Sequence, residues 1–572
     1  MRSLFTAEGK FRFDRGGVII LFLLSVIQYS YSVGNSFVWD SEGVFLHDPS
    51  IRDVRSIPSY FTSSSEVRNY DSPNPAEADI HYLAYYRPVT KLFHLLEYQI
   101  FGTDPRGYNA ACILLNALVV VLSFRLINAV TGRADLAFLS SLFYAVNPAR
   151  VEVVSWAYSD TYILMSLFIL SSLLLYHKKR YAVSAACFAA ALLSHELAVL
   201  YICILLLYEF LIVGERYRTV QKRLIPFLLT LVLYLAARSG ITGPVPVTDI
   251  RGTEFLNTAA VIMMRYARIF FLPDAPVTVF QYRPGMFAAL NSEVALSYVI
   301  GAAFFCLGLF LWKRHRKLLF WYLWFFVFCS ITLNIGAYGD YLMADKILYL
   351  AALGPCVVIG TALLNARMLR TLKVALIAAA VLLHFSLTFH RTLFWKNSVT
   401  YFEKALVFSP DFYLLRYNLG MEYIKKADYE KAIPMLQTTL ALRPGLTYAV
   451  KQLASACNEL AYRYYTSGRI SDAIRTYEYS LGVDPGQAGV HTNLGNIHYE
   501  KGLVDLAVRE WEKATEIVPA DPLAYYNLGL FREKRGDRAG ALSYYRKYVA
   551  AAPDAPVAAR QRLAELENKL HK

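Results

Sequence analysis

Long apolar runs separated by short polar stretches fill the chain from residue 16 to about 390, and an evenly mixed helical pattern follows. A membrane-crossing helix needs roughly 20 mainly apolar residues. The runs predict spans near 17–33, 108–129, 135–147, 158–176, 181–194, 196–213, 223–238, 294–312, 318–335, 346–365 and 372–389. The predicted fold class is therefore all-α, with a polytopic transmembrane bundle of about 11 spans over 1–390 and a soluble helical domain over 391–572. The stretch 258–272 is also apolar, but Arg265 and Arg268 interrupt it, which predicts an interfacial helix instead of a span. The first polar loop, 34–107, is too long for a plain connector. Amphipathic pieces within it, such as 89–100, predict short helices along the membrane face. The apolar run 18–33 follows Lys10, Arg12 and Arg15 as a signal peptide would, but no small-residue cleavage pattern ends it. It reads as a retained first helix.

The second part has a period. Pro410 and Pro444 lie 34 residues apart, and Pro485, Pro519 and Pro553 repeat that interval, as do Ala473, Ala507 and Ala541. Gly495 and Gly529 recur within Asn-Leu-Gly triplets. A 34-residue unit with small residues where two helices touch and proline after the second is the tetratricopeptide (TPR) pattern. The interval from Pro444 to Pro485 is 41, so one repeat is longer. Four repeats are counted, and 399–410 reads as the second helix of a partial one. Such an array stacks into a curved surface suited to a peptide or a partner protein.

Charge then fixes a direction. The formal net charge of +14 is concentrated at helix ends. The basic segments 10–15, 177–180, 215–223, 313–317 and 367–373 fall on one side of the predicted bundle. The positive-inside bias makes that side cytoplasmic, so the N-terminus is inside and the repeats are outside. The same clustering argues against nucleic acid as a partner. Of the seven cysteines, only Cys457 lies in the soluble part, so no disulfide forms within it.

Charge beside hydrocarbon is costly and asks for a function. On the predicted outer face stand Asp40, Glu42, Glu152, Asp160, Glu196, Asp340 and Asp345, with Arg87, Arg150, His195 and Lys346 as basic partners. Carboxylates suit a base acting on an acceptor hydroxyl, or a divalent metal site, and cations suit a phosphate. Local pairing, for example of Glu152 or Asp160 with Arg150, accounts for part of the pattern without any function.

Phe37-Val38-Trp39-Asp40-Ser41-Glu42 resembles the first-loop acidic motif of the GT-C membrane glycosyltransferases in its Asp-x-Glu form. Tyr86-Arg87-Pro88-Val89-Thr90, Gly107-Tyr108-Asn109, Asn147-Pro148-Ala149-Arg150-Val151-Glu152 and Ala344-Asp345-Lys346-Ile347-Leu348-Tyr349-Leu350 are similar to stretches of the transmembrane and TPR-containing O-mannosyltransferases and their bacterial relatives. The order of the motifs and the TPR tail match as well. His195-Glu196 stands where those proteins tend to have Lys-Glu, and Asp345-Lys346 stands where they have Glu-Arg. These changes keep charge type but not reach or bidentate geometry.

The resemblance implies inverting transfer of a sugar from a polyprenyl-phosphate-linked donor to a protein hydroxyl. It casts Asp40 and Glu42 as catalytic residues, or as ligands of a divalent metal where one is used. Arg87, His195 and Lys346 would bind the donor phosphate, and Glu152, Asp160, Glu196 and Asp345 would support them. Two other readings stay open: a GT-C enzyme acting on a lipid or polysaccharide, and a non-catalytic membrane scaffold. The sequence contains no Asn-x-Ser/Thr glycosylation sequon, which points to a bacterial inner membrane with a periplasmic array.

Overall fold

A computed structural model describes residues 13–66, 84–214, 217–242, 252–271, 280–281, 286–333, 341–519, 522–552 and 557–570. Asp340 and Pro553 lie outside the described residues. The described chain is helical apart from two short antiparallel strand pairs, and it divides into two compact units. The division falls after Pro410, so the helix Ser398–Phe408 belongs to the first unit.

In the first unit each of the eleven predicted segments is helical over its described residues. Among the described residues seven helices are long and apolar enough to cross a membrane, or eight when the bent pair Asp345–Ala351 and Leu353–Asn365 counts as one span. Ala134–Val146, Tyr181–Leu192 and Arg316–Cys329 are shorter. The bent pair turns by 53°. Pro355 follows the break and has no N–H to offer the carbonyl four residues back, which interrupts the helix there. Gly354 lets the second half lie against its neighbour, since a Cβ there would stand 2.1 Å from the Trp321 carbonyl. The helix Gly252–Phe271 includes the stretch predicted to be interfacial; it is not among the spanning candidates, and Arg265 pairs with Glu293 at 2.7 Å.

The helix Pro105–Thr131 organises the bundle. Asp104 accepts the Arg106 amide at its start, and Gly132 ends it in a left-handed turn. Its buried Asn116 donates to Ser25 Oγ at 2.9 Å and accepts from Tyr349 Oη at 2.9 Å. Arg150 also reaches Asn116 and lies over the rings of Tyr144 and Tyr349, 3.9 and 4.8 Å from their centres. It is fully buried. Arg150 is thus a core cation held by aromatic faces, and the pairing with Glu152 or Asp160 considered from sequence is not made.

The second unit is the repeat array. Its helix pairs are Tyr413–Lys425 with Tyr429–Leu442, Thr447–Thr466 with Ile470–Val483, Ala488–Glu500 with Val504–Ile517, and Pro522–Lys534 with Arg538–Ala551. A further helix, Val557–Leu570, packs beside the last pair. The first helix of the second pair has 20 residues where that of the first has 13, which absorbs the longer proline interval. Ala473, Ala507 and Ala541 are fully buried between paired helices. A Cβ at Gly495 would lie 2.5 Å from Trp511 Nε1, so the close approach read from the repeating glycines is physical. The turn inside each pair has one residue at positive φ: Ala427, Gly468, Gly502 and Gly536.

Candidate active site

Most of the predicted charged residues come from helix ends and short turns of the first unit. Trp39 begins the arrangement with φ of +54°, a region that a bulky L-residue rarely enters. Its surroundings hold it there. Its ring stacks on Trp156 at 5.6 Å and meets Tyr401 and Phe402, while its amide donates to Ser398 Oγ at 3.0 Å. Trp156 donates to the Val38 carbonyl at 2.9 Å and continues the stack onto Trp395 at 5.9 Å. The strained residue presents Asp40 and Glu42 on a one-turn helix, Asp40–Glu42.

Asp40 is half-buried. Burial raises its pKa to about 6, against the opposing pull of Lys346. Lys346 Nζ lies over the rings of Trp156 and Tyr162, at 5.2 and 5.9 Å, and has no ion-pair partner among the described residues. Its backbone amide donates to Glu152 Oε2 at 3.0 Å. Burial also raises the Glu152 pKa, and the nearby Asp345 adds to the effect while Lys346 opposes it. Asp345 is paired with Arg391, whose other nitrogen donates to the Pro148 carbonyl at 3.0 Å. Arg391 was not singled out from sequence, because it sits in the last turn of an apolar helix like any interfacial cation.

Arg87 grips Glu196 with two parallel bonds, Nε to Oε2 at 2.8 Å and Nη2 to Oε1 at 2.6 Å, and stacks over Tyr85 at 4.1 Å. Pro88 starts the following helix, and Thr90 Oγ1 donates to the Ser194 carbonyl at 2.9 Å, tying this helix to the turn that carries Glu196. His195 is buried, accepts the Leu197 amide at Nδ1 at 3.1 Å and faces Arg87 at Nε2 at 3.2 Å. Because Nδ1 accepts the Leu197 amide it carries no proton, so the ring is not an imidazolium. Burial, then the Arg87 charge, hold its pKa down at about 3, so the cation expected from sequence is a neutral imidazole.

Asp160 does not join this group. Its carboxylate contacts His94 Nε2 at 3.0 Å, and Glu97 lies beside them. For a divalent metal at Asp40 and Glu42 the fit is poor: among the described residues no third His, Cys, Asp or Glu completes a ligand group there, and Lys346 supplies the local positive charge. Missed from sequence were Tyr85, Trp156, Arg391, His94 and Glu97. A polar residue on the buried face of a loop helix was the available signal for the last two.

Comparison with known proteins follows the two-unit division. Family models for the TPR repeat match residues 495–536, and for the tetratricopeptide repeat 414–445 and 523–554. A Caenorhabditis elegans protein named protein O-mannosyl-transferase F38B6.6 is 24% identical over 425 residues, covering 70% of this chain and 59% of the relative. Mouse protein O-mannosyl-transferase TMTC3 is 21% identical over 556 residues, covering 84% of this chain and 58% of the relative. The mouse protein named TMTC2 is 34% identical over 93 residues, 16% of this chain. The chain thus spans under three fifths of the length of the first two relatives. It is an integral membrane protein with a C-terminal TPR array, and it resembles the TPR-containing protein O-mannosyl-transferases.

Proposed function

We infer that this protein is a glycosyltransferase that moves a sugar from a polyprenyl-phosphate carrier to a hydroxyl group of a protein, at the outer face of the membrane. The observation that carries the reading is the pair formed by Asp40 and Lys346: a carboxylate with its pKa raised to about 6 beside a cation that has no ion-pair partner among the described residues. A base near neutrality takes a proton best when its pKa lies close to the working pH. A lone cation under an aromatic stack suits a phosphate that gains charge as it leaves.

In the proposed step the Asp40 carboxylate accepts the proton of the acceptor hydroxyl, whose oxygen bonds to the anomeric carbon from the face opposite the carrier. The bond from that carbon to the carrier phosphate oxygen breaks, its electron pair stays with the phosphate, and Lys346 neutralises the new charge. Inversion follows from the single displacement. Arg87 is held by Glu196 and His195, and its guanidinium is offered as the second phosphate contact. Glu152 and Asp345 position the Lys346 turn, and Glu42 assists Asp40.

A groove on the array lined by Asn496, Tyr499, Trp511, Asn527, Phe531 and Lys534 is offered as a seat for the acceptor peptide or a partner. The charge bias supports a cytoplasmic N-terminus and an external, in a bacterium periplasmic, array. Intact-mass analysis of exported proteins from cells carrying the wild type or Asp40→Asn tests the reading. Hexose-sized increments are expected only with the wild type. Their absence from proteins, with a glycosylated lipid or polysaccharide present instead, would move the acceptor to that class.

A further inference from the structure

His94 and Glu97 lie one turn apart on the buried side of the helix Pro88–Phe101, and Asp160 opens the helix Asp160–His177 opposite them. One ligand-type atom from each lies within 4.8 Å of the other two. The three residues are 2%, 3% and 0% exposed. Neither carboxylate oxygen of Glu97 has a hydrogen-bond partner among the described residues, although its helix aims it into the cluster.

Two buried carboxylates beside one imidazole cannot both carry charge in so poorly screened a place without a cation among them. The cations at the start of the same loop helix are engaged elsewhere: Arg87 with Glu196 and Lys91 with Asp48. A group that is buried, unbonded and facing a like charge calls for a positive partner.

We propose that His94, Glu97 and Asp160 bind one divalent transition-metal ion of the zinc or manganese class. One imidazole with two carboxylates suits such an ion better than calcium or magnesium, which favour oxygen ligands throughout. Ligand bonds of about 2.0–2.2 Å require only a small closure of the three side chains. The ion pins the loop helix that begins beside Arg87 to the start of a span that carries Trp156 and Tyr158 just ahead of it. It is a structural staple for the loop, separate from Asp40 and Glu42.

The test is elemental analysis of the full-length chain purified in detergent without chelators. One zinc or manganese per chain is expected, retained in Asp40→Asn and lost in the near-isosteric Glu97→Gln. Should Glu97→Gln fail to fold, the wild type alone decides: chelation lowers its Tm by several degrees, and ZnCl2 or MnCl2, but not CaCl2, restores it. A metal-free wild type whose Tm does not respond to either salt overturns the proposal and leaves Glu97 and Asp160 sharing a proton. So does a Glu97→Gln protein that keeps its metal.

Discussion

The repeat array and the loop end of the membrane unit solve packing in opposite ways. In the array one contact recurs: a small residue on one helix receives a large side chain from its partner, as Gly495 receives Trp511 and Gly529 receives Tyr545. At the loop end nothing recurs. Trp39, Trp156 and Trp395 stack from three distant parts of the chain, and charged groups are set singly between them. A repeated contact can fail once and leave its copies intact, whereas a single stack with single charges has no spare, which is how chemistry rather than shape is specified.

That contrast can be broken at several points. The largest expected effect is on activity: Asp40→Asn lowers transfer at least ~100-fold in a membrane assay, as for loss of a general base, while the amount of folded protein is unchanged. Next is Glu196→Ala, which leaves the Arg87 guanidinium buried without its bidentate partner. Removing one member of a buried pair costs about 3 kcal/mol or more, so the membrane unit should melt at a lower temperature and transfer should fall with it. Gly495→Val forces a branched side chain toward Trp511 and costs ~1–3 kcal/mol. Its loss should appear as faster proteolysis of the array, with the site's pH response intact.

The pH response is a subtler test. If Asp40 acts as a base it must be ionised, so transfer should fall as pH drops through about 6 and recover above it. Lys346 lowers that pKa, so Lys346→Met should move the acid limb upward and reduce the rate at its plateau. The smallest effect is in the array, where Ala427 occupies the positive-φ turn that glycine fills in the other repeats. Ala427→Gly should stabilise the array by about 0.5–1 kcal/mol, the relief of left-handed strain less glycine's entropy cost, seen as a higher Tm with unchanged transfer.

The array was legible in the sequence because its contacts are local and repeated, so Ala473, Ala507 and Ala541 announce themselves by spacing. The site was legible where an isolated charge abuts an apolar run: Asp40, Arg87, Glu196 and Lys346 stood out for that reason and meet in space. Spacing could not show partners. Arg150 looks like a face cation but finds Tyr144, Tyr349 and Asn116 in the core. His195 looks cationic but is buried against Arg87, which forbids its charge. Asp160 turns to His94, 66 positions away, and Arg391 finds Asp345 across 46 positions. Such pairings follow from tertiary packing, and no short-range pattern encodes them.

The central claim is that Asp40 drives sugar transfer from a lipid-phosphate donor to a protein hydroxyl. It is tested most directly by incubating purified full-length protein with a polyprenyl-phosphate-linked hexose and an acceptor protein, then measuring the acceptor's intact mass. The account predicts a hexose increment with the wild type and none with Asp40→Asn, which still binds the donor. Equal increments from both proteins, or an unmodified acceptor with a wild type that binds donor, would contradict it.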